Sequence, residues 1–256
     1  MKGNPKRNNE RKFPELVSIV SRLRGPHGCP WDKAQDTNSL KPYLIEESYE
    51  LLSALDADDE EHVKEELGDL LLQIMLLSRI YEERGSFSVY DVIESISKKL
   101  VHRHPHVFGK LFARTPDDVV KIWASAKSET KRRTSLLDGI PNHLPSLLKA
   151  QRTSERAARI GFDWPSLKSL KEKLAEELKE FSIASTQKRK EEELGDVLFV
   201  VVNIARRLGI NAEMALRNAT RRFTSRFHYM EGILGKRIHS APLKELDRLW
   251  NKAKRR

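Results

Sequence analysis

The sequence is poor in cysteine and in long apolar runs. Cys29 is the single cysteine among 256 residues, which excludes an intrachain disulfide and a cysteine metal cluster. No stretch reaches the run of about 18 apolar residues that is typical of a transmembrane helix. The basic start also lacks the apolar core of a secretory signal. These absences predict a cytoplasmic protein that does not span a membrane.

Two further patterns are missing. Alternating apolar residues, which would indicate strands, are not found, and apolar side chains recur instead every three or four positions, as in Leu16, Ile19, Val20 and Leu23. The glycine-rich phosphate loop of P-loop NTPases is also lacking, so that class is not expected. The sequence therefore predicts an all-α fold.

The net charge is +10, part of it in the two tails. Such a balance attracts polyanions, but runs of charge are more often solvated tails. We therefore do not expect nucleic-acid binding to be the main role.

The segment EELGD occurs twice, at 65–69 and 192–196. FPELV at 13–17 is echoed by LPSLL at 144–148, and EESYE at 46–50 by EELKE at 176–180. Self-similarity at this distance indicates two copies of one helical domain. We predict two tandem helical-bundle domains at 1–112 and 144–256. A helical connector at 113–143 begins with a capped start at Thr115 and Pro116.

Each copy contains two pairs of acids spaced three residues apart, so both carboxylates of a pair lie on one helix face. Two antiparallel helices would bring the four acids together. The first set is Glu47, Glu50, Glu66 and Asp69, and the second is Glu177, Glu180, Glu193 and Asp196. Four neighbouring acids are candidates for additional ligands or for supporting groups, namely Glu46, Glu65, Glu176 and Glu192.

The helix that follows each EELGD is apolar nearly all round, which predicts burial on most faces and partly desolvated acids. Clustered carboxylates need a counter-charge, and Mg²⁺ prefers such oxygen ligands together with substrate phosphates. Gly68 and Gly195, each between two acids, predict close approach by another helix or by a ligand, because glycine weakens a helix.

A basic pair spaced four residues apart follows each acid set, Lys99 with Arg103 and Arg222 with Arg226. Lysine and arginine clamp phosphate oxygens that a metal leaves unneutralised. The combination indicates a site for a Mg²⁺-chelated polyphosphate. The reaction it implies is attack of water on phosphorus, with a glutamate that orients or deprotonates the water.

Three weaker signals remain. His102, His104 and His106 surround Pro105, and we interpret them as a turn that ends a helix rather than as a metal site. Trp31 and Trp164 precede the acid sets, where core packing is the commoner use of tryptophan and stacking on a base is the alternative. Asn203 matches Leu76 of the first copy, so the second copy is predicted to hold a ligand contact that the first lacks.

These motifs resemble the MazG family, nucleoside triphosphate pyrophosphohydrolases of the all-α NTP pyrophosphatase superfamily. The resemblance rests on LRGPHGCPWDKAQ, EESYELLSAL, EELGDLLLQI, HRHPHVFG, LLDGIP, IGFDW and EELGDVLF, which span nearly the whole chain. It implies helical bundles, usually dimerised, that bind Mg²⁺ and cleave nucleoside triphosphates between the α and β phosphates.

The resemblance also implies roles for single residues. The C-terminal domain is usually the main catalytic one, so Glu177, Glu180, Glu193 and Asp196 would be its catalytic metal ligands. Basic substrate contacts would fall on Arg189, Arg222 and Arg226, and Asn203 fits the same pattern. The family often has lysine at 189 and 222, so this chain keeps the charge and changes the geometry.

Three alternatives remain open. A basic nucleic-acid-binding module would not need two acid quartets. A carboxylate-bridged di-iron bundle usually needs Glu-x-x-His, which the sequence lacks. In the third alternative the N-terminal copy is a regulatory or structural relic, marked by Leu76.

Overall fold

The computed structural model describes residues 5–116, 118–119, 122–123 and 135–255. All regular secondary structure in these ranges is helical, which confirms the all-α prediction. Among the described helices, none combines the length and the apolar character of a membrane-spanning segment. The chain divides into two compact units, Met1–Lys131 and Arg132–Arg256. Their boundary lies inside the predicted connector, of which residues 117, 120–121 and 124–134 lie outside the described ranges.

Residues 116, 118–119 and 122–123 of the connector are helical, and six further helices of the first unit have described bounds. They are α1 Pro5–Leu23, α2 Pro30–Ala34, α3 Leu40–Ala57, α4 Glu60–Glu83, α5 Val89–Arg103 and α6 Pro105–Phe108. Helices α3 and α4 form a tight hairpin, and α1 and α5 pack against α4. The hairpin turns at Asp58, whose left-handed φ of 56° ends α3, and at Asp59, whose side chain accepts a hydrogen bond from His62 N–H at the start of α4.

The second unit repeats this arrangement. Its helices are α7 Ser146–Ala158, α8 Leu167–Ile183, α9 Gln187–Arg207, α10 Ala212–Leu234 and α11 Leu243–Ala253, with a 3₁₀ turn at Gly235–His239. Helices α8 and α9 form the hairpin, and α7 packs against α9. Ser166 caps α8 and Thr186 caps α9, each by accepting a hydrogen bond from the residue three positions on. The hairpins α3–α4 and α8–α9 carry the two acid sets.

The two units differ in their cores. In the first, Val20, Leu76, Ile80 and their neighbours form a buried cluster beneath the hairpin. In the second, the buried cluster of Met230, Leu234 and Leu249 lies between α10 and α11.

From Leu67 to Ile80, α4 is buried or half-buried on most faces, as predicted, whereas much of α9 is exposed, so the prediction was wrong for α9. One apolar stripe stays exposed on each, at matching positions. The stripe consists of Leu67, Leu71 and Ile74 on α4, and of Leu194, Leu198 and Val201 on α9.

Candidate metal centres

The first unit brings three carboxylates together. Glu47 of α3 meets Glu66 and Asp69 of α4, with one oxygen from each within 4.8 Å of the others. Glu66 is only 6% exposed, and its Oε1 lies 2.8 Å from His62 Nε2. Its Oε2 is buried and has no hydrogen-bond partner among the described residues. Burial raises the pKa of Glu47, and the charges of Asp69, Glu50 and Glu66 raise it further.

The second unit brings together Glu177 and Glu180 of α8 and Glu193 of α9, again within 4.8 Å. Glu177 and Glu193 are 6% and 3% exposed. Two cations lie beside them: Lys173 Nζ is 2.8 Å from Glu177 Oε1, and Arg189 Nη2 is 3.0 Å from Glu193 Oε1. Burial raises the pKa of Glu193, Arg189 lowers it, and the charges of Glu180 and Glu177 raise it.

Each cluster thus contains three of the four predicted acids. Glu50 and Asp196 lie outside the three-oxygen groups, and both are exposed. The two hairpins contribute their ligand oxygens differently. In the first unit, two of the three oxygens come from the second helix of the hairpin, α4. In the second unit, two of the three come from the first helix, α8. The two units therefore share sequence motifs and helix arrangement, but the carboxylate side chains are arranged differently in the two clusters.

The four neighbouring acids do not enter these groups. Glu46 and Glu65 are exposed. Glu176 accepts a hydrogen bond from Lys173 at 2.8 Å, and Glu192 lies 3.9 Å from Arg189. Through these two cations, Glu176 and Glu192 are connected to the second cluster without belonging to it.

The basic pairs lie on α5 and α10. Lys99 and Arg222 are exposed, and Arg103 and Arg226 are half-buried. In the described ranges, no ion pair joins these four residues to the acid clusters. Arg226 lies 5.5 Å above the Trp250 ring. Of the predicted substrate-binding cations, Arg189 alone is brought into contact with a cluster in the described structure.

The two glycines do not make the predicted helix contact. A Cβ at Gly68 or Gly195 would meet no atom within 4 Å, and both residues are exposed. The expectation of close approach by another helix of the chain is therefore wrong for the described residues. Approach by a ligand or by another copy of the chain stays a prediction.

Comparison with known proteins identifies the family. Residues 35–108 and 165–230 match the MazG nucleotide pyrophosphohydrolase domain, and the two segments contain both acid clusters. The chain belongs to the MazG family. It is 44% identical over 247 residues to the nucleoside triphosphate pyrophosphohydrolase/pyrophosphatase MazG of Thermotoga maritima, covering 94% of this chain and 95% of the relative.

Two further relatives support the assignment. A nucleoside triphosphate pyrophosphohydrolase of Escherichia coli K12 is 39% identical over 256 residues, covering 95% of this chain and 97% of the relative. An uncharacterized Bacillus subtilis protein, YabN, is 44% identical over 252 residues, which cover 95% of this chain and 52% of that longer protein. The resemblance to the MazG family inferred from the motifs is confirmed.

Asn203 of this MazG chain is fully buried at 0% exposure. Its amide nitrogen donates to Phe199 O at 2.9 Å, and its Oδ1 accepts from Arg206 Nε at 3.1 Å. Arg206 in turn pairs with Asp163, whose pKa it lowers. Leu76, at the matching position of the first unit, is 1% exposed and belongs to the apolar core.

The histidines and tryptophans are placed as follows. Helix α5 ends at Arg103, and His104 Nδ1 contacts Leu100 O at 2.6 Å, which confirms the helix-ending turn. Trp31 is 51% exposed and meets the edge of Tyr43, so it is not a core residue. Trp164 is half-buried and lines a cavity of the second unit.

Sequence reasoning missed Lys173. This residue lies one turn before Glu177 and forms ion pairs with both Glu176 and Glu177, which raise its pKa. The spacing of four residues was visible in the sequence, but such pairs are common on exposed helices. Only the burial of Glu177 in the structure shows that the Lys173–Glu177 ion pair belongs to the second carboxylate cluster.

Proposed function

We propose that the chain hydrolyses nucleoside triphosphates between the α and β phosphates, in a Mg²⁺-dependent reaction that yields a nucleoside monophosphate and pyrophosphate. The role would be control or sanitation of the cytoplasmic nucleotide pool. One observation carries the proposal: the second cluster gathers three carboxylates, two of them almost fully buried, beside two cations. The names of two relatives matched over almost their full length support the reaction class.

The residues of both clusters fit a hard divalent cation. Carboxylate oxygens are the ligands that Mg²⁺ prefers. Burial and mutual repulsion raise the pKa values of Glu47 and Glu193, and a positive ion relieves both effects. The buried Oε2 of Glu66, which has no partner among the described residues, is a further acceptor for such an ion. When bound, Mg²⁺ supplies positive charge to the carboxylates and to the polyphosphate.

In the second unit, Glu177, Glu180 and Glu193 would hold the cation, and Asp196 would complete the set. Asp196 lies three residues after Glu193 on α9, and residues three apart on a helix share one face. In the first unit the corresponding ligands are Glu47, Glu66 and Asp69, with Glu50 as the fourth. Glu50 is close enough to raise the pKa of Glu47.

Arginines bind the phosphate oxygens. Arg189 contacts Glu193 and has a side chain that is 61% exposed, so its guanidinium lies at the open edge of the cluster, where a phosphate would bind. Arg222 and Arg226 on α10, and Lys99 and Arg103 on α5, contribute charge from the neighbouring helix. Guanidinium groups are suited to this role because they bind phosphate through two hydrogen bonds.

A glutamate of the cluster orients the attacking water and accepts its proton. The water oxygen forms a bond to phosphorus, and the anhydride P–O bond between the α and β phosphates breaks. The electron pair of the broken bond leaves with the departing phosphate group. The proton then passes from the glutamate to solvent, so the enzyme returns to its starting state.

The second unit is proposed as the main catalytic one. Its cluster has Lys173 and Arg189 in direct contact, and the helix that carries Glu193 also carries the buried polar Asn203. The first unit has Leu76 at that position, within an apolar core. We propose that the domains extend over 1–112 and 144–256, joined by the connector at 113–143.

We also propose a homodimer. The exposed stripes on α4 and α9 have equal spacing and lie on the hairpins that form the acid clusters. All six side chains of the two stripes are exposed to solvent. Contiguous apolar surfaces of this kind mark protein interfaces, and a second copy offers the same stripe in return.

The proposal is tested by following pyrophosphate release from nucleoside triphosphates as Mg²⁺ is titrated into metal-free protein. Release that saturates with Mg²⁺ and stops on chelation supports it. Turnover that continues unchanged in excess chelator contradicts the metal dependence, and release of orthophosphate alone contradicts the position of cleavage.

A further inference from the structure

The positive charge of the chain is concentrated in its last two helices. Residues 217–256, which contain most of α10 and all of α11, carry twelve lysines and arginines and three acids. The other 216 residues carry 35 basic and 34 acidic side chains, so their charges almost cancel. A net charge confined to one pair of helices creates a local positive potential that attracts polyanions.

The apolar face of α11 is already in use. Leu249 is 5% exposed and packs with Met230 and Leu234 of α10. Leu246 and Trp250 pack against the same cluster. A helix that binds a membrane surface buries its apolar face among the lipids. Because the apolar face of α11 packs against α10 instead, the rest of the helix surface contacts a partner through polar and charged side chains.

The outward face of α11 carries a row of cations. Lys244, Arg248 and Lys252 follow one another at intervals of four residues, which places them on one side of the helix. Arg255 continues the row just after the helix ends at Ala253. All four cations are exposed, and none of them takes part in an ion pair within the described structure. These four residues, 244, 248, 252 and 255, form the basic row.

The acids of α11 leave most of this charge in place. Glu245 is half-buried and is bound by Arg237, whose Nη2 lies 3.0 Å from Glu245 Oε1. This ion pair neutralises the glutamate without using a cation of the basic row. Asp247, the other acid of α11, forms no ion pair with the row in the described part of the chain. One unpaired acid therefore stands against four cations.

The spacing of the basic row fits a polymer with evenly spaced negative charges. Lys244, Arg248 and Lys252 are separated by about 6 Å along the helix axis, at 1.5 Å per residue. Neighbouring phosphates of a single nucleic-acid strand follow one another at a similar distance, whereas the acids of a folded protein have no fixed repeat. Contacts of lysine and arginine to phosphate carry no sequence information. The row therefore fits a nucleic-acid strand of any sequence.

The basic row faces away from the proposed contacts to the nucleoside triphosphate. Arg226 lies 5.5 Å and Lys254 6.0 Å from the centre of the Trp250 ring, so this ring marks the side of α11 that meets α10. Trp250 follows Arg248 by two residues, which places the two side chains about 160° apart around the helix. A strand on the basic row therefore does not compete with Arg226 for the same phosphates.

We propose that the basic row of α11 binds the phosphate backbone of single-stranded nucleic acid, independently of sequence. This is a binding activity in addition to the proposed hydrolysis, and it uses none of the residues assigned to the metal or to the triphosphate. The proposal does not rest on the proposed function, because binding to the row is measured without turnover.

The test uses the full chain and an oligouridylate of about 16 nucleotides, with a 5′ hydroxyl and a fluorescent label at its 3′ end. This probe lacks the triphosphate that the acid cluster would bind, and Mg²⁺ is left out. Fluorescence anisotropy should show binding at low salt that weakens as salt is added. For single strands, the logarithm of the binding constant falls by about 0.7 per phosphate contact for each tenfold rise in salt.

The main variant combines Lys244→Ala, Arg248→Ala and Lys252→Ala. Its salt dependence should be shallower by about 2, because three contacts are lost, and its affinity should fall by about tenfold or more. The matched control combines Arg11→Ala, Lys12→Ala and Lys110→Ala.

The control removes the same charge from exposed positions of the first unit, and its affinity should change by less than about threefold. Circular dichroism checks that both variants fold. If the main variant does not fold, the single exposed change Arg248→Glu decides: it should weaken binding by about fivefold, and an unchanged affinity would overturn the proposal.

Three further results would overturn it. The wild type would show no binding of the oligouridylate at low salt, or the control would lose as much affinity as the main variant, which would assign the binding to net charge alone. In the third, polyglutamate would displace the oligouridylate at an equal concentration of charge, which would assign the basic row to an acidic protein surface instead.

Discussion

Arg189 Nη2 lies 3.0 Å from Oε1 of Glu193, one helical turn further along α9. The arginine side chain is 61% exposed, whereas that of Glu193 is 5% exposed. The glutamate is therefore fixed within the cluster, while the arginine is able to turn toward a substrate. This pair connects the proposed metal site with the proposed phosphate site.

Arg189→Ala is expected to separate these two roles. Arg189 competes with a metal cation for Glu193, so its loss should lower the Mg²⁺ concentration needed for half-maximal activity. The KM for the nucleotide should rise by about tenfold, because a charge-assisted contact to phosphate is lost. Steady-state pyrophosphate release at varied Mg²⁺ and nucleotide measures both constants, with Lys190→Ala as the control for loss of charge. A Mg²⁺ requirement that rises in parallel with KM would show that Arg189 helps to hold the cation instead.

The two clusters are expected to contribute unequally to catalysis. Glu193→Gln should reduce kcat/KM by about 100-fold or more, because it removes a buried ligand and its charge from the main site. Glu66→Gln, the matched change in the first unit, should have a smaller effect. Both variants are measured in the same pyrophosphate assay after their folding has been checked by circular dichroism. Equal losses would overturn the ranking of the two units.

The pKa of Glu193 gives a prediction for stability. Burial raises this pKa above the ordinary value of 4.5, so the folded protein binds the proton more tightly than the unfolded chain does. Without metal, the charged carboxylate therefore destabilises the fold at neutral pH, and the cost disappears as pH falls through the folded pKa. Metal-free Glu193→Gln should have a higher Tm than the wild type at pH 7, with a difference that shrinks toward pH 4.5.

With Mg²⁺ bound, the wild type should melt at a higher temperature than Glu193→Gln. Mg²⁺ is expected to raise the Tm of the wild type at pH 7, because it binds the folded state and offsets the repulsion among Glu177, Glu180 and Glu193. In Glu193→Gln the rise should be smaller. Thermal scans of the wild type and of Glu193→Gln at pH 7 and at about pH 4.5, each with and without Mg²⁺, measure these differences in Tm. A variant that melts below the metal-free wild type at pH 7 would contradict the account of an unfavourable buried charge.

The exposed stripe on α9 predicts an effect on assembly. Leu198→Glu places a charge in the middle of the proposed interface and should convert a dimer into a monomer, as measured by light scattering coupled to size exclusion. Leu243→Glu is the control, since Leu243 is 72% exposed at the start of α11 and lies outside the stripe. A variant with the same mass as the wild-type dimer would place the interface elsewhere.

Much of the fold was predictable from the sequence. The period of Leu16, Ile19, Val20 and Leu23 predicted helix, and the repeated EELGD predicted matching hairpins, because helices preserve spacing while loops change in length. What the pattern could not show is whether an apolar face packs within the chain or against another copy. Leu67 and Leu194 have the same hydrophobicity as core residues, and only the structure shows them exposed.

The candidate site was predictable as a set of helix faces but not as a set of contacts. Spacing of three residues places Glu193 and Asp196 on one side of α9, and yet only Glu193 reaches the cluster. Which carboxylates converge depends on side-chain rotamers and on the register of the hairpin, which the sequence pattern does not determine. The cavity beside Trp164 also depends on the folding back of the segment around Leu136, a contact between distant parts of the unit.

The most direct test of the central claim is phosphorus NMR of the products that the purified protein forms from ATP and Mg²⁺. The account predicts AMP and pyrophosphate in equal amounts, formed by the wild type, lost on chelation and strongly reduced in Glu193→Gln. ADP and orthophosphate as the products would move the cleavage to the terminal phosphate and contradict it. Undiminished AMP and pyrophosphate from Glu193→Gln would contradict the assignment of the second cluster as the catalytic centre.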